Sequence, residues 1–233
     1  MRDNRQHQED LKFGPIPRAV LALAGVIAGL ELMFSAGDTG LVGGVVGAYW
    51  RSTAIENFAF SEWLLREQLR GGIPAAEWHR FVTYGFLHSQ FASSAMSTVF
   101  ILAFGNFLTR FVSSWQVLAI FFAGIVAGAG GFALVLDAAY PLIGSSPGYF
   151  AIFGGILAVF LVGKASRRLN RLMLSIPLYF IGLQILYRVI FGGPDFWLAD
   201  IAGCAAGFLG GIFSCLGFRP GLLYMYLRLT GRR

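Results

Sequence analysis

The hydrophobic and polar positions of the chain divide it into long apolar windows separated by short charged segments. The six windows cover residues 18–36, 91–109, 115–136, 147–162, 172–190 and 197–216. A helix needs about 20 mostly apolar residues to cross the hydrocarbon core of a bilayer, and most of these windows approach that length. The pattern therefore predicts an all-α polytopic membrane protein with six transmembrane helices.

The composition agrees with this prediction. The chain has 233 residues, of which 56% are hydrophobic and 13% are charged, whereas soluble domains carry about 25% charged residues. The net charge is +6, but the basic residues lie in short clusters between apolar windows, so we expect no nucleic-acid partner. We expect the lipid bilayer as the surroundings, and no cofactor or metal. Cys204 and Cys215 share the last window and are interpreted as packing residues.

The basic clusters predict the orientation of the chain. Lysine and arginine accumulate on the cytoplasmic side of membrane proteins, and six crossings with both termini inside place these clusters together. We therefore expect a cytoplasmic tail at residues 1–17, a transmembrane domain at 18–216 and a basic cytoplasmic tail at 217–233. The N-terminal segment lacks the features of a transit peptide or a cleaved signal peptide, which favours a bacterial inner (plasma) membrane. The sequence indicates no oligomeric state.

A long outer loop, at about residues 37–90, separates the first two windows. In it, Trp, Phe and Leu alternate with charges at near-helical spacing, which is typical of helices lying in the headgroup layer. The alternative is a solvated loop packed on the ends of the helices. Glu31 lies near the outer end of the first window, where it either reaches the interface or pairs with an outer-loop arginine such as Arg51.

The fourth window is short. Its 16 residues give a helix of roughly 24 Å, against a hydrocarbon core of about 30 Å. Lys164 fixes its inner end at the cytoplasmic interface, so the preceding "GSSPG" lies below the outer surface. Irregular backbone at that depth requires burial in protein or a wet cavity. The sequence therefore predicts a recessed polar pocket with Ser145 and Ser146 at its floor.

The last window carries an acid, Asp200, three residues inside Trp197. Asp200 shares one helical face with a row of glycines, and small residues allow a second helix to approach closely. The small residues are Gly203, Gly207 and Gly211 in the last window and Gly148, Ala151 and Gly155 in the fourth. We expect Ser146 and Asp200 to face each other across these two helices.

Four motifs resemble those of the rhomboid family of intramembrane serine proteases (peptidase family S54). In "EWHRFVTYGFLHS", the residues that fit the family's outer-loop motif are Trp78, Arg80, Thr83, Phe86 and His88. "FILAFG" is similar to the Phe-Gly end of the family's second helix, with Gly105. "GSSPGYFAIFGGILAVF" is similar to the start of its fourth helix, and "ADIAGCAAG" to its sixth, with Gly203 and Gly207. The resemblance implies a six-helix bundle with a long outer loop between helices 1 and 2.

The resemblance also implies which residues occupy the catalytic positions. Family proteases use a serine nucleophile and a histidine base, and a histidine and an asparagine that stabilise the oxyanion. Here the nucleophile position is Ser146, whereas the base position holds Asp200. The two oxyanion positions hold Ser93 and Ser97. In the resemblance His88 is a structural residue of the outer loop.

Ser146 and Asp200 each have several interpretations. Ser146 followed by Pro147 is also typical of an ordinary helix start, since serine is a preferred N-cap and proline is favoured at the first helical position. Asp200 is an acid favoured by the helix dipole, a buried acid hydrogen-bonded to Ser145 or Ser146, or a general base. As a base it is weak, because the reference pKa of aspartate is about 3.9.

These residues favour a pseudoprotease, that is, a proteolytically inactive homologue of the intramembrane serine proteases. The resemblance implies that such a protein binds the transmembrane segments of client proteins. The alternative is an active intramembrane serine protease with Ser146 as the nucleophile. A transporter or channel is disfavoured, because intramembrane carboxylates are few and no inverted repeat is evident.

Overall fold

A computed structural model describes residues 15–72, 75–134, 140–162 and 196–216, together with six single helical positions between 175 and 190. Within these residues the chain is helical, and its one pair of bridged extended residues is Phe60 and Leu142. The α-helices are α1 Arg18–Asp38, α2 Gly44–Gly47, α3 Trp50–Phe58, α4 Glu62–Leu69, α5 Arg80–Thr83, α6 Phe91–Leu108, α7 Ser114–Phe132, α8 Ser146–Leu161 and α9 Phe196–Leu216. Two short 3₁₀ helices cover Ala75–His79 and Tyr84–Phe86.

Five of the six predicted windows coincide with described helices. Four of these, α1, α6, α7 and α9, are long and apolar enough to cross a membrane, and α8 is the predicted shorter helix of 16 residues. The α7 helix ends at Phe132, before the predicted boundary at 136. The window at 172–190 lies outside the described residues, apart from its isolated helical positions. The protein is an all-α integral membrane protein.

The α8 helix lies at the centre of the described bundle. Most of its residues are buried, and it packs against α6, α7 and α9. The closest packing is between α8 and α9, where a Cβ atom at Gly203 would collide with the backbone of Pro147. A Cβ atom at Gly207 would likewise collide with the backbone of Ala151.

This geometry confirms the predicted close approach of the two helices at Gly203 and Gly207. One position of the predicted face is wrong. Gly148 faces α7 instead of α9, since a Cβ atom there would collide with the ring of Phe121. Its place opposite Gly203 is taken by the backbone of Pro147.

The outer loop is joined to the segment that precedes α8 by backbone hydrogen bonds. Phe60 and Leu142 exchange two of them, with N···O distances of 3.2 and 2.7 Å. The Gly144 N–H donates to the carbonyl of Tyr84 at 3.0 Å. Residues far apart in the sequence therefore fix the position at which α8 begins.

A buried ion pair links α1 to the outer loop. Glu31 is only 3% exposed, and its carboxylate accepts hydrogen bonds from Arg51 at 2.9 and 3.1 Å and from Ser35 at 2.9 Å. The pairing of Glu31 with Arg51 is confirmed, and Glu31 does not extend to the surface. Arg51 also donates to the exposed carboxylate of Asp38.

Candidate functional site

The candidate site surrounds the start of α8. The helix begins at Ser146, so Ser145 and not Ser146 is the N-cap residue, and Pro147 lies one position further into the first turn than predicted. The Ser145 side chain makes no capping hydrogen bond. Its hydroxyl lies instead 3.3 Å from Nε2 of His88. The side chain of Ser145 therefore joins the outer loop to α8 instead of capping the helix.

His88 lies between two serines. Its Nε2 atom is 3.3 Å from the hydroxyl of Ser145 and 3.1 Å from the hydroxyl of Ser97, and the ring is buried. The outer loop, α6 and α8 thus meet at one imidazole. Because the neutral ring has one lone pair, Nε2 accepts fully from one hydroxyl at a time.

The surroundings of His88 keep its ring neutral. Burial lowers the pKa of His88 from 6.5 to about 4, and the cation of Arg51 acts in the same direction, while the charge of Glu31 and the Phe86 backbone oppose it. Nε2 accepts from the serines in the tautomer that carries the ring proton on Nδ1.

Arg51 connects the buried ion pair to His88. Its Nη1 atom donates to the backbone carbonyl of His88 at 2.7 Å and to the carboxylate of Glu31 at 3.1 Å. The guanidinium therefore holds the backbone of His88 while α1 holds the guanidinium. Burial of an ion pair is costly unless its remaining donors find acceptors, and the carbonyl of His88 is one such acceptor.

The two residues at the predicted catalytic positions, Ser146 and Asp200, differ in exposure. Asp200 is 0% exposed, whereas Ser146 is partly exposed at the first turn of α8. The hydroxyl of Ser145 is directed to His88. The pairing of Asp200 with a serine at the start of α8 stays a prediction.

The two predicted oxyanion positions have separate partners. The hydroxyl of Ser93 donates to the backbone carbonyl of Gln90 at 2.8 Å, within its own helix end. The hydroxyl of Ser97 is buried beside His88. The structure thus brings Ser97 and His88 together but leaves Ser93 outside the cluster.

Tyr84 is a further residue at this site. Its side chain is buried, and its hydroxyl donates to the carbonyl of Ile125 in α7 at 2.7 Å. Burial raises the pKa of Tyr84 well above its usual value of 10.0, and the negative charge of Asp200 adds to this effect. The phenol of Tyr84 therefore stays protonated and holds the outer loop against α7.

The other motif residues hold the outer loop and α6 in place. Arg80 donates to the carbonyls of Glu56 and Ala59 at the end of α3, and Trp78 packs on Phe81 with ring centroids 5.2 Å apart. At Gly105, a Cβ atom would lie 2.8 Å from a methyl group of Val20, so this glycine allows α6 to approach α1. These three residues have structural contacts.

The sequence analysis missed three contributions to the site. It did not identify Ser145 as the hydroxyl beside His88, Arg51 as the residue that binds the His88 carbonyl, or Tyr84 as a buried hydroxyl bonded to α7. The aromatic motif around Tyr84 was the only available signal. The other contacts join residues 57 and 37 positions apart, which no short-range spacing indicates.

The fold and the site define an integral membrane protein with a short central helix that begins at a pair of serines. The Rhomboid domain family matches residues 75–217, which is more than half of the chain. The chain therefore belongs to the rhomboid family and is a homologue of intramembrane proteases. Comparison with curated proteins and with solved structures gave no match.

Proposed function

We propose that this protein is a rhomboid-fold pseudoprotease that binds transmembrane segments of client proteins without cleaving them. The observation that supports this most directly is the position of the imidazole. The Nε2 atom of His88 lies within hydrogen-bond distance of Ser145 and Ser97, whereas Ser146, at the family's nucleophile position, has no imidazole partner among the described residues. A serine hydroxyl is a weak nucleophile without a base to accept its proton.

The residues at the other catalytic positions support the same proposal. Asp200 replaces the base, and a carboxylate with a reference pKa of about 3.9 is a weak acceptor for a serine proton. The hydroxyl of Ser93 is bonded to the Gln90 carbonyl, and that of Ser97 lies beside His88. Loss of one oxyanion donor typically reduces the rate about a hundredfold or more. Both side-chain donors are replaced here.

The client-binding role is proposed by analogy with the family, and one surface of α6 is compatible with it. Phe91, Met96 and Val99 are exposed apolar side chains along this helix. A transmembrane segment needs such an apolar face, because helices in lipid associate through packing. We propose that α6 supplies part of the surface on which a client segment lies.

Binding and cleavage are separated by one reconstitution experiment. The protein and a single-span test substrate, each carrying a fluorophore, are placed in liposomes, and energy transfer and substrate length are measured together. We expect saturable energy transfer with intact substrate, and the same result for Ser146→Ala. Val99→Asp should weaken binding, whereas Trp115→Asp on the exposed face of α7 serves as the control. Cleavage that Ser146→Ala abolishes would refute the proposal.

Proteolysis is the second candidate function, and one observation favours it. The pair formed by Ser145 and His88 has the composition of a serine–histidine dyad, with an O···N distance of 3.3 Å. Against it, Ser145 is 0% exposed, so a substrate has no access to it in this conformation. Ser145→Ala and Ser146→Ala, tested side by side in the cleavage assay, distinguish a nucleophile at either position from an inactive site.

We also propose a bacterial inner membrane location with both termini, and hence the tails 1–17 and 217–233, in the cytoplasm. The distribution of basic residues supports this orientation. Reporter fusions that are active only in the cytoplasm, placed at each terminus, should both be active. An inactive fusion at one terminus would contradict the orientation.

A further inference from the structure

The segment after α1 forms an exposed apolar tip, which we define as residues 41–49. Leu41 and Val45 are 82% and 80% exposed, and Val42, Val46 and Tyr49 are also exposed. The tip is built on a glycine turn, in which Gly43 has a φ of 75° and its missing Cβ would lie 2.7 Å from the ring of Trp50. The turn at Gly43 therefore packs against Trp50, while the apolar side chains around it are exposed.

The tip also carries no charge. Between Asp38 and Arg51 the sequence contains no acidic or basic residue. The two flanking charges lie 2.9 Å apart and form an ion pair with each other. A charged or strongly polar partner has nothing to bind here, whereas an apolar partner meets no unpaired charge.

A groove of about 480 Å³ lies between this tip, α1 and α3. Phe34 and Ala54 form its floor, and Met33, Val46, Tyr49 and Phe58 form its walls. Its volume is within the range of about 300–1,000 Å³ that is usual for ligand sites. Thr53 and Asn57 also line the groove, but most of its lining is apolar, which suits a hydrocarbon ligand.

The position of the groove indicates where its ligand comes from. The α1 helix has 21 residues and is about 31 Å long, so it just crosses a hydrocarbon core of about 30 Å. Met33 and Phe34 lie about 6–8 Å before its end at Asp38, and hence at the depth of the acyl-chain segments next to the headgroups. At this depth the abundant apolar molecule is a phospholipid.

We propose that this groove is a binding site for one acyl chain of a bilayer phospholipid. The chain lies along Phe34 and between Met33 and Val46, while its headgroup stays at the level of the tip. The bound lipid covers apolar surface that the described residues of the protein leave open. This site is separate from the cluster around His88 and does not depend on the proposed function.

A photoactivatable lipid tests the proposal. The full-length protein is reconstituted with phosphatidylcholine that carries a diazirine in one acyl chain, irradiated, and mapped by mass spectrometry. We expect cross-links at Met33, Tyr49 and Phe58 to exceed those at Val26, which is exposed on the same helix but outside the groove. An even distribution over the exposed face of α1 would overturn the proposal.

Two substitutions of neighbouring valines provide a matched comparison. Val46→Asp places a carboxylate in the groove wall. Displacement of two methylene groups of the acyl chain by this carboxylate should reduce occupancy of the groove by the lipid about tenfold. Val45→Asp adds the same charge to the same short helix, but Val45 does not line the groove, so cross-linking should change less than twofold. Both side chains are exposed, so neither change disturbs the core.

A third variant, Ala54→Trp, fills the floor of the groove and should also abolish the enriched cross-links. Equal losses in Val45→Asp and Val46→Asp would overturn the proposal, because a general effect of charge would explain both. Cross-links between two protein copies at the groove, in place of lipid adducts, would overturn it as well, since the occupant would then be protein.

Discussion

The buried pair of Glu31 and Arg51 makes the strongest prediction about stability. Arg51 binds Glu31 through two nitrogens and also donates to the His88 carbonyl, and Glu31 is 3% exposed. Removal of one partner of a buried ion pair typically costs about 3–5 kcal/mol, because the other charge stays buried without compensation. We therefore expect Arg51→Met to lower the free energy of unfolding by about 3 kcal/mol.

Replacement of both partners should cost much less than the sum of the two single changes. In Glu31→Leu/Arg51→Met no buried charge remains, and the coupling free energy should be about 2 kcal/mol, as is usual for residues in direct contact. The bond from Arg51 to Asp38 contributes little to this value, because Asp38 is 40% exposed and water screens it. The assay is reversible unfolding in mixed micelles of increasing SDS content.

The exposed pair of Glu67 and Arg70 is the control. Its N···O distance, 2.9 Å, is the same as in the buried pair, but its side chains are 40% and 72% exposed. Such surface pairs contribute about 0–1 kcal/mol. If the coupling between Glu31 and Arg51 were no larger than in this pair, the assignment of Arg51 as the buried link between α1 and His88 would be refuted.

Three further predictions concern His88, the contact between α8 and α9, and Asp200. Burial lowers the pKa of His88 from 6.5 to about 4. At a pH between these two values, the His88 side chain is therefore protonated in the unfolded state but neutral in the folded state. The free energy of unfolding should thus fall by up to about 3 kcal/mol as the pH drops through this window. In thermal unfolding, His88→Gln should lose less stability over the same pH range. An equal loss of stability in this variant would contradict the burial argument. Gly207→Ala should cost about 1–3 kcal/mol through overpacking against α8, whereas Gly25→Ala, with open space around it, should cost nothing in the same assay. Asp200→His should not produce a protease in a cleavage assay, because both side-chain oxyanion donors are still replaced, and vigorous cleavage would disprove this.

The sequence was sufficient to predict the helices and their closest contact. Apolar windows report where helices cross the membrane, because the bilayer imposes both length and composition. Gly203 and Gly207 were correctly expected to contact the fourth window, because helical periodicity fixes which residues share a face. Gly148 was misassigned because small residues on α8 face two neighbours, α7 and α9, and spacing does not distinguish between them.

The contacts of the site were less predictable. A serine just before a helix can cap that helix or bind another part of the fold. Here Ser145 is the N-cap residue, and its hydroxyl lies beside the imidazole of His88 instead of capping the helix. That imidazole is positioned by the outer loop and by Arg51. Such tertiary hydrogen bonds override local capping preferences, because a buried polar group must be satisfied wherever the fold allows.

Reaction with a fluorophosphonate probe tests the central claim most directly. The purified protein, Ser145→Ala and Ser146→Ala are incubated with the probe in detergent, with an active serine hydrolase added to each sample as an internal control. The account predicts that only the added hydrolase is labelled, because Ser146 has no imidazole partner among the described residues and Ser145 is buried beside His88. Robust labelling of the protein that either alanine substitution abolishes would contradict it.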